Sequence, residues 1–187
     1  MKVIKLGGSL LKDSNSLLDC LNRIEQAGND KIVIVPGGGM FADQVRLAQK
    51  QWQFDEIIAH QMAILAMQQM ALLLKGIKPQ FSVIDNLEAI NNIDSVIIWS
   101  PDIQGLNESG VKASWDVTSD SLAAWLANQL SIDELILIKS ARIPINYTLQ
   151  QMQQQGILDK AFHQFAQTRN YKITLLNKYG FNEYPLN

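Results

Sequence analysis

Twice within its first forty residues this chain runs a short β-type apolar stretch straight into consecutive glycines. Val3-Ile4 leads to Lys5-Leu6-Gly7-Gly8-Ser9, and Ile32-Val33-Ile34-Val35 leads to Pro36-Gly37-Gly38-Gly39. A helical pattern follows each run. A strand that breaks abruptly at glycines and re-enters as a helix is a βα unit, and two of them constrain the chain to an α/β design. Backbone amides at such a turn converge on an anion, and glycine lets a phosphate approach them closely. Two such turns suggest one polyphosphate gripped from two sides, with Lys5 supplying a positive charge beside the first.

The remaining pattern agrees with that class. Apolar spacing predicts helices over 15–26, 41–49, 56–74, 118–129, 148–155 and 160–168, and strands over 3–6, 31–35, 81–84, 96–99, 135–138 and 172–176. Gly28-Asn29-Asp30 reads as a turn, and 101–111, with Gly105 and Gly110, as a loop. Alternating apolar strands and helices imply a mostly parallel sheet covered on both faces, a three-layer α-β-α sandwich. Ligands of such sheets sit beyond the carboxyl ends of the strands, where both glycine turns fall.

At 187 residues the chain suits a single domain, 1–187. A formal net charge of -2 gives no polycationic signature, so neither nucleic acid nor an acidic membrane is the expected partner. Cys20 is the only cysteine and lies among Leu17, Leu18, Leu21 and Ile24, which reads as buried filler in a reducing compartment. The N-terminus has no signal-peptide stretch and no segment reads as long enough to span a bilayer, so a cytoplasmic location is expected. Met62, Met67 and Met70, with Leu65, Leu72 and Leu73, make the 56–74 helix apolar nearly all round. It reads as mostly core, with a share in a subunit interface.

Neither of two familiar phosphate motifs accounts for the glycines. A Walker sequence ending in Gly-Lys-Ser/Thr is absent. Gly37-x-Gly39-x-x-Ala42 fits a loose dinucleotide fingerprint, but the region about 20 residues on leads into a long helix instead of a strand ending in an acid. A third element is Ser114-Trp115-Asp116-Val117-Thr118-Ser119-Asp120-Ser121, which opens the 118–129 helix. Plain helix capping explains those residue types. Asp116 and Asp120 are also four apart, and would share a face if one helical turn included both.

Together, Lys5-Leu6-Gly7-Gly8-Ser9, Gly37-Gly38-Gly39 and Asp116-Val117-Thr118-Ser119-Asp120 resemble, in order, the motifs of the amino acid kinase family, which includes acetylglutamate, aspartate, uridylate and isopentenyl phosphate kinases. Gly39-Met40-Phe41-Ala42-Asp43 leading to Arg46, His60-Gln61-Met62-Ala63-Ile64 leading to Met67, and the Trp115–Ser121 segment resemble most closely the aminomethylfuran-methanol-phosphate kinases of methanopterin synthesis. The resemblance implies an ATP-dependent small-molecule kinase. Its Mg2+ would be held mainly by phosphate oxygens, with no protein metal site. The acceptor would be the aminomethylfuran-methanol phosphate.

The resemblance also implies roles. Lys5 would contact the transferring phosphoryl group and Asp120 would orient the catalytic lysine. Gly7, Gly8, Ser9, Gly37, Gly38 and Gly39 would line the phosphates, with Gly8 and Gly38 donating amides in flight. Arg46 would contact an acceptor phosphate, for which a guanidinium is suited. His60 and Asp159 would contact substrate, and Asp116 would hold an acceptor amine. A solvated arginine, a satisfied histidine and a cap are the plainer readings of Arg46, His60 and Asp116. Relatives commonly pair through a helix in the 56–74 region, which implies a homodimer or higher homo-oligomer.

The chain departs from the family pattern in its second part. An acceptor-binding part of about 1–130 is followed by a reduced nucleotide-binding part, 131–187. Where relatives carry Thr-Asp-Val-x-Gly, it has Lys139-Ser140-Ala141-Arg142-Ile143. The second lysine run of the family has no obvious equivalent. Lys139, at a strand end on the active edge, and Lys160 are its two candidates. Asn177-Lys178-Tyr179-Gly180 stands where relatives carry an Asn-Gly turn. A catalytically silent nucleotide- or anion-binding protein, or a uridylate or isopentenyl phosphate kinase, are the alternatives.

Overall fold

The computed structural model describes residues 1–27, 31–93, 95–140, 142–144, 147–167 and 170–186. The expected turn at Gly28-Asn29-Asp30, Ala141 and the expected helix end at Thr168 lie outside them. Runs of β-branched and aliphatic residues form six strands: β1 (Lys2–Leu6), β2 (Ile32–Pro36), β3 (Ser82–Ile84), β4 (Ile97–Trp99), β5 (Glu134–Lys139) and β6 (Lys172–Asn177). They make one sheet in the order β3-β4-β2-β1-β5-β6, and every neighbouring pair is parallel. Both faces are covered, so the strands are apolar on both sides.

Side chains alternate along each strand and sort the core into two clusters. Ile4, Leu6, Ile32, Ile34, Ile136 and Ile138 face one way. They pack with Leu17, Cys20, Leu21 and Ile24 of α1 (Ser14–Gln26) and Phe181 of α9 (Lys178–Glu183). Cys20 is fully buried, and burial pushes its thiol pKa up to about 11. Val3, Val33, Val35, Leu135 and Leu137 face the other way, against α6 (Ser119–Gln129) and α8 (Phe162–Ala166). Lys5 shares the second face with Val3, and Lys139 shares it with Leu137.

Two helices follow β2: α2 (Gly39–Trp52) and α3 (Glu56–Ile77), which pack on each other. α3 also contacts β2, β3 and β4. By length and composition alone α3 could cross a membrane, contrary to the sequence expectation, although 44% of that window is buried within this fold. The reading of its apolar residues as mostly core holds for one face and fails for the other. Met67, Met70 and Leu74 are buried, whereas Leu65 and Leu72 share the opposite, exposed face of the helix.

Three short helices depart from the sequence reading: α4 (Leu87–Asn91), α5 (Ile103–Glu108), inside the expected loop, and α9. Each starts at a side-chain cap. The side chains of Asn86, Asp102 and Asn177 accept from Ala89 N, Gly105 N and Gly180 N respectively. The remaining α-helix, α7 (Leu149–Gln154), begins at a capping box between Thr148 and Gln151.

Candidate active site

Three adjacent strands, β2, β1 and β5, end in register, with Leu6 beside Pro36 on one side and Ile138 on the other. That register delivers Gly37–Gly39, Gly7–Ser9 and Lys139-Ser140 to a single edge of the sheet. The turns are tied together. Gly7 N donates to Ile138 O and Gly37 N to Leu6 O, both at 2.9 Å, and Ser9 Oγ lies 2.6 Å from Ser140 Oγ. The two glycine turns meet backbone to backbone. A Cβ on Gly8 would lie 2.4 Å from Gly39 N, and one on Gly37 would lie 2.5 Å from Gly8 N. Gly39 opens α2 with φ +54°, a conformation that side chains disfavour. Glycine is therefore required by packing between the turns as well as by any approach to phosphate.

Beneath this edge, the start of α6 places Asp120 over β1 and β5. Its buried carboxylate lies between two ammoniums. Lys5 Nζ is 2.8 Å from Oδ1, an ion pair off the hydrogen-bonding axis, and Lys139 Nζ donates to Oδ2. Burial alone would raise the Asp120 pKa, but Lys5 and then Lys139 outweigh it and hold it at about 2. Burial and the neighbouring Lys5 charge lower the Lys139 pKa against the pull of Asp120. Two lysine ammoniums thus share one buried carboxylate.

Asp159 arrives from the segment before α8 and caps α6. It accepts from Thr118 N at 3.1 Å, Thr118 Oγ1 at 2.5 Å and Ser121 N at 2.9 Å. Burial and the charge of Asp120 raise its pKa. The capping that the 114–121 residue types suggest is thus supplied to α6 from far along the chain.

Beside the glycines lies a cavity of about 250 Å³. Gly8, Ser9 and Gly37–Gly39 form one wall, and Ala63, Ile64 and Met67 of α3 another. Lys12, Asp43, Arg46, His60 and Trp115 also line it. The Arg46 guanidinium sits 3.7 Å from the Trp115 ring centroid. Trp115 is itself held by Gln49 Oε1, 2.7 Å from its Nε1, and by Glu56 Oε1, 3.0 Å from its backbone N. A stacked guanidinium keeps its edge donors free for a planar or tetrahedral anion.

A model of the amino acid kinase family matches residues 1–142. The chain belongs to the amino acid kinase family. It is 31% identical over 139 residues to the [5-(aminomethyl)furan-3-yl]methyl phosphate kinase of Methanocaldococcus jannaschii. That match covers 73% of the chain and 64% of the relative, so the chain spans less than two thirds of this curated relative's length. Among solved structures, the uridylate kinase of Archaeoglobus fulgidus superposes with a TM-score of 0.71 at 18% identity, covering 97% of this chain and 94% of that one. The UMP kinase of Bacillus anthracis gives 0.69 at 18% identity, covering 95% and 87%. Those two likenesses establish the fold.

Within this amino acid kinase fold, the residues expected from sequence fall into two groups. Lys5, Asp120, Lys139 and Asp159 cluster at the start of α6, and Gly8, Ser9, Gly37, Gly38, Gly39, Arg46 and His60 line the cavity beside them. Gly7 lies in the turn between β1 and Gly8. Asp116 lies elsewhere. α6 begins only at Ser119, so Asp116 and Asp120 do not share a helical turn, and the Asp116 carboxylate pairs with exposed Lys160 at 3.2 Å. It lines a separate hollow with Gly110, Lys112 and Phe165. Sequence reasoning did not single out Lys12, and it quoted Asp43 only within the motif that leads to Arg46, without a role. It also gave Trp115 no role, because its stack on Arg46 joins residues 69 apart.

Proposed function

We propose that this chain transfers the γ-phosphoryl group of ATP to a small phosphorylated acceptor, most specifically [5-(aminomethyl)furan-3-yl]methyl phosphate. The observation that carries this reading is the meeting of two glycine turns above a pair of ammoniums sharing one carboxylate. The match to the Methanocaldococcus jannaschii kinase supports the acceptor.

The residues present suit a nucleotide polyphosphate. The glycine turns leave no room for a Cβ and expose backbone donors, and Lys5 and Lys139 supply charge. Bound Mg2+ would supply charge neutralisation at the phosphates. Among the described residues no group of three or more His, Cys, Asp or Glu side chains could hold a metal, so phosphate oxygens would be its main ligands. Phosphoryl transfer demands mainly position and charge. Asp120 holds both lysine ammoniums in place and, by its charge and hydrogen bond, opposes the loss of the Lys139 proton. Their ammoniums neutralise the equatorial oxygens, and Gly8 and Gly38 amides donate to them. An acceptor phosphate is already anionic, so no strong general base is needed.

In this reading residues 1–130, roughly, bind the acceptor and 131–187 the nucleotide, within a single domain. A second copy would cover the outer face of α2 and α3. There Ile58, Leu65 and Leu72 form a seven-residue stripe beside Leu47 and Trp52, all exposed.

The deciding experiment compares Lys139→Ala with Lys160→Ala in transfer from Mg-ATP to this acceptor. Lys139→Ala should lower kcat by about 10²–10³-fold, the scale for removing a donor that stabilises transition-state charge. Lys160→Ala, changed on an exposed pair, should match wild type. Binding of ADP by wild type without transfer would favour a silent nucleotide-binding protein, and equal kcat in both variants would remove Lys139 from the mechanism.

A further inference from the structure

At the carboxyl ends of β3 and β4, beside the strand that carries the second glycine turn, lies another hollow of about 630 Å³, a size usual for small-molecule sites. It shares no lining residue with the cavity beside the glycines. Its buried floor is Trp99 of β4, Leu106 of α5 and Trp125 of α6, with the two indoles stacked at 5.8 Å between ring centroids. Its rim is exposed and acidic. Asp85, Glu88, Asp102 and Glu108 stand there, and no Lys, Arg or His is among the described lining residues. Among the described residues none of these four carboxylates has an ion pair. Asp102 Oδ2 accepts from Gly105 N at 2.7 Å and Glu108 Oε1 from Gln104 Nε2 at 2.8 Å, but both donors are neutral and leave the charge uncompensated. A concave rim of one charge sign concentrates counter-ions. A second observation is independent of the rim. Trp99 is 2% exposed, yet its Nε1 has no hydrogen-bond partner among the described residues. An indole N–H can only donate, and a buried donor left unpaired costs stability. The hollow is the open space that Trp99 adjoins, so the missing acceptor is expected from a ligand there.

We propose that this hollow binds a flat organic cation: a protonated amine on an aromatic body that also carries an accepting oxygen. The rim carboxylates hold the ammonium, the body packs on the tryptophan floor, and the oxygen accepts from Trp99 Nε1. A bare metal ion does not fit, because among the described residues no three or more His, Cys, Asp or Glu side chains are grouped closely enough to hold one. An anion such as a nucleotide would meet four like charges. The acids alone would suit any amine, and Trp99 adds the requirement for an oxygen. The site does not depend on the kinase reading, since none of its residues belongs to the phosphate edge.

The test uses full-length protein labelled with 15N-tryptophan and titrated with tyramine. Two comparison probes isolate the groups: phenethylamine lacks the oxygen, and 3-(4-hydroxyphenyl)propanoate replaces the ammonium by a carboxylate. The chain has four tryptophans, and Trp99→Phe and Trp115→Phe assign two of the indole N–H signals. Trp115 lines the cavity beside the glycines and so reports binding there. Tyramine should move the Trp99 signal and leave that of Trp115 in place. Phenethylamine should bind about 10-fold more weakly, the scale of one hydrogen bond, and the propanoate should not bind. The double change Asp85→Asn with Glu88→Gln should weaken tyramine binding about 10-fold, the scale of a hydrogen bond to a charged group. Both side chains are exposed and neither caps a helix, so calorimetry on this variant carries the test even if Trp99→Phe fails to fold. An unmoved Trp99 signal, a response at Trp115 alone, equal binding of either comparison probe, or full tyramine affinity in the double variant overturns the proposal.

Discussion

Replacing Gly8 by alanine should damage the fold and the site together. Its Cβ would lie 2.4 Å from Gly39 N and 2.6 Å from Gly39 Cα, both backbone atoms that no rotamer change can move. Restoring ordinary contact requires the turns after β1 and β2 to separate by about 1 Å, and overpacking of this kind costs about 1–3 kcal/mol. The upper end applies because each turn is also pinned to the neighbouring strand, through Gly7 N to Ile138 O and Gly37 N to Leu6 O. With a urea m-value of about 2 kcal/mol/M, a 3 kcal/mol loss lowers the unfolding midpoint by about 1.5 M. Gly76→Ala is the control. Nothing lies within 4 Å of its would-be Cβ, and it sits in the last turn of α3, so alanine should stabilise by up to about 1 kcal/mol. Urea unfolding reads the midpoints, and titration calorimetry with Mg-ATP reads the site. Gly8→Ala should also lose more than about 10-fold in nucleotide affinity, since its amide would be displaced from the phosphate. A Gly8→Ala protein with wild-type midpoint and affinity would refute the argument that the two turns share one packed junction.

Asp120→Asn would leave two ammoniums facing each other with no carboxylate between them, costing about 3–5 kcal/mol near neutral pH. The Asp120 pKa is depressed in the fold, so its contribution is complete above about pH 4 and is lost as pH falls toward 2. The gap between wild type and variant in urea unfolding should narrow by about 2 kcal/mol over that window. Asp159, raised by burial and by Asp120, titrates in the opposite sense above it. A gap that stays constant from pH 4 to pH 2 would remove Asp120 from the pH dependence. Paired Leu65→Glu and Leu72→Glu changes on the exposed α3 stripe should convert a homo-oligomer to monomers in light scattering. An unchanged mass would place any subunit contact elsewhere.

The glycine turns and the parallel sheet were legible because their signals are local: β-branched runs, abrupt glycines, and helical periodicity after each. The short helices were not, since Asp102 converts an apparent loop into α5 with a single side-chain bond to Gly105 N. Strand order was beyond local reading, and it decides the site. Lys139 reaches Asp120 because β5 lies beside β1. The spacing of Asp116 and Asp120 invited a shared helical face, but α6 starts one residue past Thr118, which leaves Asp116 outside.

The family match ends at residue 142, whereas the carboxylate that starts α6 is at 159. A protein truncated at the family boundary would keep Lys5, both glycine turns, Asp120 and Lys139 in sequence. It would lose the anchor that sets the pose of Asp120, so for this chain an intact signature and a working centre are separable properties.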